Sequence, residues 1–179
     1  MSTLCTSYAH ALYSLAAEEG LEDRILEELE LLAAAFDAEP DYLRLLSSPN
    51  LSKDERCEIV ENAFRDRVHP YVFSTLSLLT ERKQIRRFSS CCKAYRELYD
   101  EAHGILAVSA LTAIPLGEAQ AERLRKKLET ITGKTVRIQN RVDPACMGGV
   151  RLDYDGKRLD GTVQGRLASL GEHLKKTVL

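Results

Sequence analysis

Histidines and cysteines, the side chains most often used for metal binding and nucleophilic chemistry, are dispersed along this 179-residue chain. The four histidines belong to separate predicted elements and show no metal-ligand spacing: His10, His69, His103 and His173. Cys91 and Cys92 are adjacent, whereas zinc and redox motifs place two residues between their cysteines. We therefore expect packing or surface roles for these side chains and predict neither a metal site nor a bound cofactor.

Two glycines and two aspartates are the next candidates for a chemical role. No Lys-Ser/Thr pair follows Gly148 and Gly149, so a bulge or a close approach of two backbones is predicted rather than a phosphate loop. Asp143 and Asp160 have no histidine or nucleophile partner in the sequence, and both occupy turn or cap positions, where aspartate is favoured. A small-molecule enzyme with one of them as its base stays an alternative, but the sequence predicts no active site.

The composition is that of a folded globular protein, with 44% hydrophobic and 29% charged residues. The longest uncharged apolar stretch, residues 105–116, is shorter than the ~20 residues that a membrane-spanning helix needs. No signal peptide is visible, and five cysteines without framework spacing indicate reduced thiols in a cytosol. We therefore expect a soluble, cytoplasmic protein.

The net charge of −2 conceals an asymmetry between the two halves of the chain. Residues 1–104 hold 12 basic against 19 acidic side chains, a net of −7, whereas residues 105–179 hold 13 against 8, a net of +5. Opposite charges of this size indicate two domains with different partners. Chance segregation of solvated surface charge explains the same counts, so the pattern alone does not decide.

Helical periodicity dominates residues 1–104, in six segments joined by short links. Ser52 and Glu55 form the spacing of a capping box, which predicts the start of the fourth helix. Pro70 stands where a first-turn proline belongs, ahead of the fifth helix, and Gly104 ends the sixth. The sequence therefore predicts a six-helix bundle over residues 1–104.

From residue 105 onward the pattern changes to strands and amphipathic helices. An apolar run at 105–113 predicts a buried strand, residues 118–131 an amphipathic helix, and 136–142 a half-buried strand. Alternation at 150–154 and 157–159 around Asp155-Gly156 predicts a hairpin with a type I′ turn. Thr162 could cap a last helix. The expected fold class is α+β, with a small C-terminal α/β domain of order β-α-β-β-β-α over residues 105–179.

The first and fifth predicted helices carry more apolar surface than one core contact needs. Apolar side chains cover roughly 200° of the first helix, where a stripe of roughly 100° would suffice. On the fifth helix, Tyr71 and Leu78 lie away from the main apolar stripe. A central position in the bundle explains the excess, and so does a groove that binds another chain's amphipathic helix.

The same residues match a known family in order and spacing. Near the N-terminus, Tyr8-Ala9 is followed by Ala11-Leu12-Tyr13, and Leu78-Leu79-Thr80-Glu81 ends the fifth helix. The C-terminal half contributes six strings in register: 111–116, 133–134, 142–144, 148–150, 159–163 and 166–167. Together they resemble the delta subunit family of F-type ATP synthases, which is similar to the mitochondrial oligomycin-sensitivity-conferring protein. Gln84 departs from the pattern, because many members have arginine there.

This resemblance implies a non-catalytic stator subunit without a cofactor, which links the alpha3-beta3 catalytic head to the peripheral stalk. The helical domain would bind the N-terminus of the alpha subunit through side chains on its first and fifth helices: Tyr8, Ala11, Leu12, Tyr71 and Leu78. The C-terminal domain would bind the C-terminal end of the b subunit through basic side chains: Arg166, Lys175 and Lys176. The implied location is the cytoplasmic side of a bacterial plasma membrane, with membrane association only through the complex.

A nucleic-acid-binding module is the main alternative. A basic β-α-β-β-α arrangement also suits an RNA-binding domain fused to a helical adaptor. Against it, the predicted strands lack exposed aromatic pairs for base stacking, and no Gly-x-x-Gly loop is present to clamp a backbone. The resemblance implies no nucleic acid partner.

Overall fold

The computed structural model describes residues 3–48, 50–163 and 165, and these form two compact units, Met1–Tyr99 and Asp100–Leu179. Seven α-helices and a four-stranded mixed sheet occupy the described residues, so the α+β class is confirmed. The division falls within the last turn of the sixth helix, a few residues before the boundary predicted at residue 104.

The first unit is helical. Its elements are α1 (Thr3–Glu19), α2 (Glu22–Ala38), α3 (Pro40–Leu46), α4 (Lys53–Phe64), α5 (Pro70–Glu81), a 3₁₀ turn (Ile85–Arg87) and α6 (Phe88–Ala102), which crosses into the second unit. Capping residues and a first-turn proline determine where several of these helices begin. Ser52 Oγ accepts from the Glu55 amide at 3.2 Å and Glu55 Oε2 accepts from the Ser52 amide at 2.8 Å, which confirms the capping box of α4. Pro70 is the first residue of α5, as predicted.

The core of the first unit is centred on Phe36 of α2. Its ring stacks on Tyr42 at 6.0 Å and meets the edges of Phe64 at 5.9 Å and Phe88 at 5.2 Å. These four rings come from α2, α3, α4 and α6. Aromatic pairs at such distances add about 0.5–1.5 kcal/mol each beyond their buried area. This cluster therefore joins four helices through one buried side chain.

One helix presents a different side to the core than its sequence pattern suggests. The apolar residues of α4 at helical spacing are Cys57, Val60 and Phe64. In the structure Arg56 and Val60 are buried, at 2% and 1% exposure, whereas Cys57 is half-buried. The inward turn of α4 therefore includes an arginine, which no hydrophobic pattern can indicate.

The second unit packs one described helix on a sheet. Its elements are β1 (Ile105–Thr112), α7 (Glu118–Thr132), β2 (Thr135–Val142), a 3₁₀ turn (Pro144–Cys146), β3 (Val150–Tyr154) and β4 (Lys157–Asp160). The strand order is β2-β1-β3-β4, with β1 parallel to β2 and antiparallel to β3, and β3 antiparallel to β4. Leu106, Val108 and Ala110 of β1 share the buried face, where Leu128 of α7 joins them. The predicted last helix falls almost wholly outside the described residues.

Gly149 brings two backbone segments of the second unit together. Its φ is +81°, and a Cβ built on it would lie 2.4 Å from the carbonyl oxygen of Gly161. The Gly161 amide in turn donates to the Val150 carbonyl at 3.0 Å. The close backbone approach expected for the glycine pair is therefore confirmed, and it ties the start of β3 to the segment after β4.

Candidate partner-binding surface

Helices α1 and α5 pack against each other and run antiparallel. At one end the hydroxyl of Tyr71, in the first turn of α5, donates to Glu19 Oε1 in the last turn of α1. At the other end the Arg82 guanidinium, just after α5, lies 5.9 Å from the ring centroid of Tyr8. Between these contacts α1 buries Leu12 against the core. The seam, by which we mean the line of contact between α1 and α5, therefore has a side-chain contact at each end. Between these ends, Leu12 packs into the hydrophobic core.

Apolar side chains line the outer side of this seam. Leu15 of α1 is 44% exposed and Leu78 of α5 is 42% exposed. Ala11, one helical turn before Leu15 on α1, is exposed as well. Positions 8, 11, 15 and 19 follow the three- and four-residue steps of one helical face. We call the face formed by these groups the α1–α5 surface: Tyr8, Ala11, Leu15, Tyr71, Leu78 and Arg82. Its centre is apolar and its ends are polar.

Two polar groups belong to the α1–α5 surface, the Tyr8 hydroxyl and the Arg82 guanidinium. The Tyr8 hydroxyl is buried and has no hydrogen-bond partner in the part of the chain that the structure describes. Arg82 lies over the Tyr8 ring, and none of the ion pairs found among the described residues includes it. A buried hydroxyl without a partner costs free energy that a bound acceptor recovers. An arginine at an apolar rim favours a carboxylate.

The predicted alpha-binding residues differ in how much of each side chain is exposed. Ala11 and Leu78 are exposed, and Tyr8 and Tyr71 are half-buried, so all four contribute surface. Leu12 is 5% exposed and belongs to the hydrophobic core, so it supports the surface without reaching a partner. Leu15 lies on the same apolar side of α1 but is not in the predicted set. Arg82 is also missing from that set, because it lies just after α5 and is not apolar.

The predicted b-binding residues cannot be placed, because Arg166, Lys175 and Lys176 lie outside the described residues. What the second unit does offer is an open cavity of roughly 410 Å³ between the segment after β1 and the loop before β3. Ile114 and Met147 belong to its lining and are 73% and 74% exposed. Exposed apolar side chains are ordinary when they are scattered singly, but they indicate a contact site when they are clustered.

The arginines of the sheet are mostly neutralised by neighbouring carboxylates. Arg137 pairs with Asp100, and Asp153 accepts from Arg158 at 2.7 Å and lies 3.3 Å from Arg151. The hydrogen bond from Arg158 holds the pKa of the Asp153 carboxyl below its usual value. The strands β1 to β4 contain one aromatic residue, Tyr154, and it packs against the hydrophobic cluster of the sheet. The described sheet therefore lacks a stacking platform for bases.

The candidate aspartates and the possible metal ligands can be located in the described part of the chain. Within it, no group of three or more histidine, cysteine, aspartate or glutamate side chains is placed to hold a metal ion. Asp143 accepts from the Ala145 amide at 3.0 Å, and Asp160 accepts from the Thr162 amide at 2.9 Å. Both aspartates therefore cap turns, as their sequence positions suggested. Among the helices of residues 3–48, 50–163 and 165, none is long and apolar enough to cross a membrane.

Comparisons with known proteins identify relatives along nearly the whole chain. The family model for the ATP synthase delta (OSCP) subunit matches residues 4–174. The ATP synthase subunit delta of Alkaliphilus oremlandii is 33% identical over 172 residues, covering 96% of each chain. The subunit delta of Halalkalibacterium halodurans is 32% identical over 168 residues, covering 93% of this chain and 92% of its own.

Solved structures add a likeness of fold. A chain of the mitochondrial ATP synthase of Toxoplasma gondii matches with a TM-score of 0.79 at 19% identity, covering 97% of this chain and 98% of its own. A chain of the Polytomella F-ATP synthase matches with a TM-score of 0.51 at 20% identity, covering 55% of this chain and 88% of its own. On the match of the family model and of relatives above 30% identity, the chain belongs to the ATP synthase delta (OSCP) subunit family, the delta subunits of F-type ATP synthases.

Proposed function

We propose that the chain serves as a non-catalytic stator subunit that fixes the alpha3-beta3 head to the peripheral stalk through one surface on each unit. The observation that carries the proposal is the α1–α5 surface, with apolar Leu15 and Leu78 exposed beside a seam that is otherwise well packed. A stator must bind two bodies and needs no active site of its own. Its role is mechanical, because it prevents the head from turning with the rotor.

The first contact is with the N-terminal segment of an alpha subunit, bound as an amphipathic helix. The α1–α5 surface supplies an apolar centre for such a helix, which is a common mode of peptide recognition. Ala11 allows a close approach because its side chain is small. Arg82 lies at one end and the Tyr71–Glu19 pair at the other. The bound helix should therefore carry apolar residues on one face and an acidic residue at the end nearest Arg82.

The second contact is with the C-terminal end of the b subunit, through the second unit. Its support is the net charge of +5 over residues 105–179 and the exposed apolar pair Ile114 and Met147 at the cavity. Basic side chains around an apolar contact steer acidic partners and raise the association rate. Arg166, Lys175 and Lys176 are the proposed basic residues. The complex would then hold the chain at the cytoplasmic side of a bacterial plasma membrane.

Affinity purification of the native complex tests both contacts together. Tagged wild-type chain should retain alpha and b subunits, whereas Leu78→Asp should lose alpha and keep b, and Met147→Asp should lose b and keep alpha. Leu31→Asp is the matched control, because Leu31 of α2 is 72% exposed and lies outside the α1–α5 surface. Retention of alpha by Leu78→Asp at wild-type levels would contradict the proposed head contact.

A further inference from the structure

Two thiols meet inside the first unit, on helices that are far apart in the sequence. Cys5 lies near the start of α1 and Cys91 near the start of α6, with exposures of 2% and 5%. The Cys5 thiol donates to the Arg87 carbonyl with an Sγ–O distance of 3.9 Å, and its side chain is also hydrogen-bonded with that of Cys91.

We propose that Cys5 and Cys91 form an oxidisable dithiol, which closes to an intramolecular disulfide when a two-electron oxidant is present and so joins α1 to α6. The pair differs from the other described cysteines. Cys92 donates to the Leu29 carbonyl of α2 at 3.6 Å and so faces away from Cys5. Cys57 lies on α4, and Cys146 lies in the second unit. Cys5 Sγ lies 3.9 Å from the Arg87 carbonyl, one helical turn before Cys91, so a local movement of α1 can bring the two sulfurs to the S–S bond length of about 2.05 Å.

The oxidation balances with an azodicarboxamide such as diamide as the oxidant. One thiol, as its thiolate, adds to the N=N bond and gives a sulfenylhydrazine, which gains a proton on the other nitrogen. The second thiolate attacks the sulfur of this adduct, the S–N bond breaks, and the leaving nitrogen is protonated to the hydrazine. Two S–H bonds are replaced by one S–S bond, and two electrons and two protons reach the oxidant. Low-molecular-weight disulfides accept the same electrons by exchange.

Burial makes this reaction depend on an opening of α1. Burial, reinforced by the hydrogen bond with Cys5, raises the pKa of the Cys91 thiol to about 12. The thiolate is the nucleophile, so the closed structure reacts slowly at neutral pH. Terminal helical turns open at lower free energy than the centre of a bundle. Opening of the first turns of α1 exposes both sulfurs, and closing brings them together again for the second step.

The disulfide would stabilise the helix that carries half of the α1–α5 surface. A link between residues 5 and 91 closes a long loop, and such links reduce the entropy of the unfolded chain most. The stabilisation applies to α1 as a whole because Cys5 lies close to its first residue, Thr3. Oxidation would therefore suppress opening of α1, and reduction would restore it.

The test uses the full chain with Cys57→Ala and Cys146→Ala, so that the thiols of Cys5, Cys91 and Cys92 remain. Diamide should remove two thiols, and peptide mapping should find the tryptic peptide of residues 1–24 linked to that of residues 88–93. The link should persist with Cys92→Ala and vanish with Cys91→Ala or Cys5→Ala. The rate should rise in urea below the unfolding transition, and the oxidised chain should melt about 5 °C or more higher, reversibly on reduction.

Three outcomes would overturn the proposal. A link that survives Cys91→Ala and is lost with Cys92→Ala would assign the pair wrongly. An unlinked chain after oxidation in subdenaturing urea would mean that the two sulfurs cannot bond in the folded unit. A linked chain that melts below the reduced one would mean that the folded geometry does not accommodate the disulfide. Because the readouts are covalent mass and melting temperature, they do not depend on the proposed alpha or b contacts.

Discussion

The hydroxyl of Tyr71, in the first turn of α5, donates a hydrogen bond of 2.5 Å to Glu19 Oε1, in the last turn of α1. This contact and the stacking of Arg82 on Tyr8 join the same two helices at opposite ends. Between them, backbone and core contacts leave the apolar side chains of the α1–α5 surface facing outward. The polar ends therefore fix the spacing of the two helices without covering the surface that lies between them.

Removal of the Tyr71–Glu19 hydrogen bond should lower the stability slightly, and by the same amount whichever of the two residues is changed. We expect Tyr71→Phe and Glu19→Ala to lower the melting temperature by similar small amounts at pH 7, and the double variant by no more than either. Glu18→Ala is the control, because the adjacent Glu18 does not accept this bond. Additive losses in the double variant would show that the two groups act independently.

The same bond predicts a pH dependence. The hydrogen bond to Glu19 raises the pKa of the Tyr71 phenol above its usual value of 10.0, because the neutral phenol is the donor. A raised pKa in the folded state means that the stabilisation is present below pH 10 and is lost as the pH rises through the folded pKa. The melting difference between wild type and Tyr71→Phe should therefore disappear at pH values above the folded pKa. A difference that grows with pH would contradict this assignment.

Binding of the alpha subunit should depend on Ala11. Ala11→Asp places a carboxylate at the centre of the α1–α5 surface, and burying it unpaired costs several kcal/mol. We expect an affinity loss of about 100-fold or more for a peptide from the alpha N-terminus, measured by calorimetry with the full chain. Ala17→Asp is the matched control, because Ala17 is exposed on another face of α1. A folded Ala11→Asp chain with unchanged affinity would exclude this part of the surface.

Arg56 should be a source of instability that substitution relieves. The side chain is 2% exposed, and its Nε and Nη1 have no acceptor among the described residues. A buried charge without a partner is costly, and apolar replacement of buried ionic groups is often neutral or stabilising, by up to about 4 kcal/mol. We expect Arg56→Met to raise the free energy of unfolding in urea, while Arg67→Met, at an exposed position, has little effect. A large loss of stability would instead reveal an essential acceptor for Arg56.

The contrast between Ser52 and Arg56 shows how far sequence reasoning reaches in this fold. Ser52 and Glu55 are three residues apart and satisfy each other's backbone, so the cap could be predicted from spacing alone. The same holds for Asp155 and Gly156, whose positive φ angles form the expected hairpin turn. Arg56 is buried because neighbouring helices cover it, and one helix's periodicity contains no information about its neighbours.

The candidate surface, too, could be predicted only in part from the sequence. The apolar arc of α1 indicated that Ala11 and Leu12 belonged to a wide hydrophobic face, but only packing against α5 decides that Leu12 is covered and Ala11 is not. The contact of Cys5 with Cys91 spans most of the first unit in sequence and has no local signal. Pairings of this kind depend on tertiary packing, so they require the structure.

Gly149 should be intolerant of any side chain. Gly149→Ala would force a Cβ to within 2.4 Å of the Gly161 carbonyl oxygen, at a φ that already disfavours alanine. The cost should reach several kcal/mol and unfold much of the second unit, as seen by chemical denaturation. Gly156→Ala is the control, because Gly156 has a similar φ of +69° but nothing within 4 Å of an added Cβ. It should cost only about 1–2 kcal/mol; equal losses would mean that backbone strain alone accounts for Gly149.

Lysines near the C-terminus should set how fast the b subunit binds. Charges at the rim of an interface mainly change the association rate, whereas its apolar centre sets the dissociation rate. Removal of residues 166–179 should abolish binding of a b C-terminal fragment and leave intact the hydrogen bonds between Asp160 and Thr162 at the end of β4. Reversal of Lys175 and Lys176 to glutamate should slow association about 3- to 10-fold and leave dissociation nearly unchanged.

Surface plasmon resonance at low and moderate salt separates this effect from general electrostatics, since screening should shrink the difference in association rate. The matched control reverses Arg123 and Lys127, two exposed cations on α7 that carry the same change in net charge. If both double variants slow association equally, the net charge of the domain steers the partner and the two lysines have no special position. If the truncated chain binds b fully, residues 166–179 do not belong to the contact, and the exposed pair Ile114 and Met147 must carry it without them.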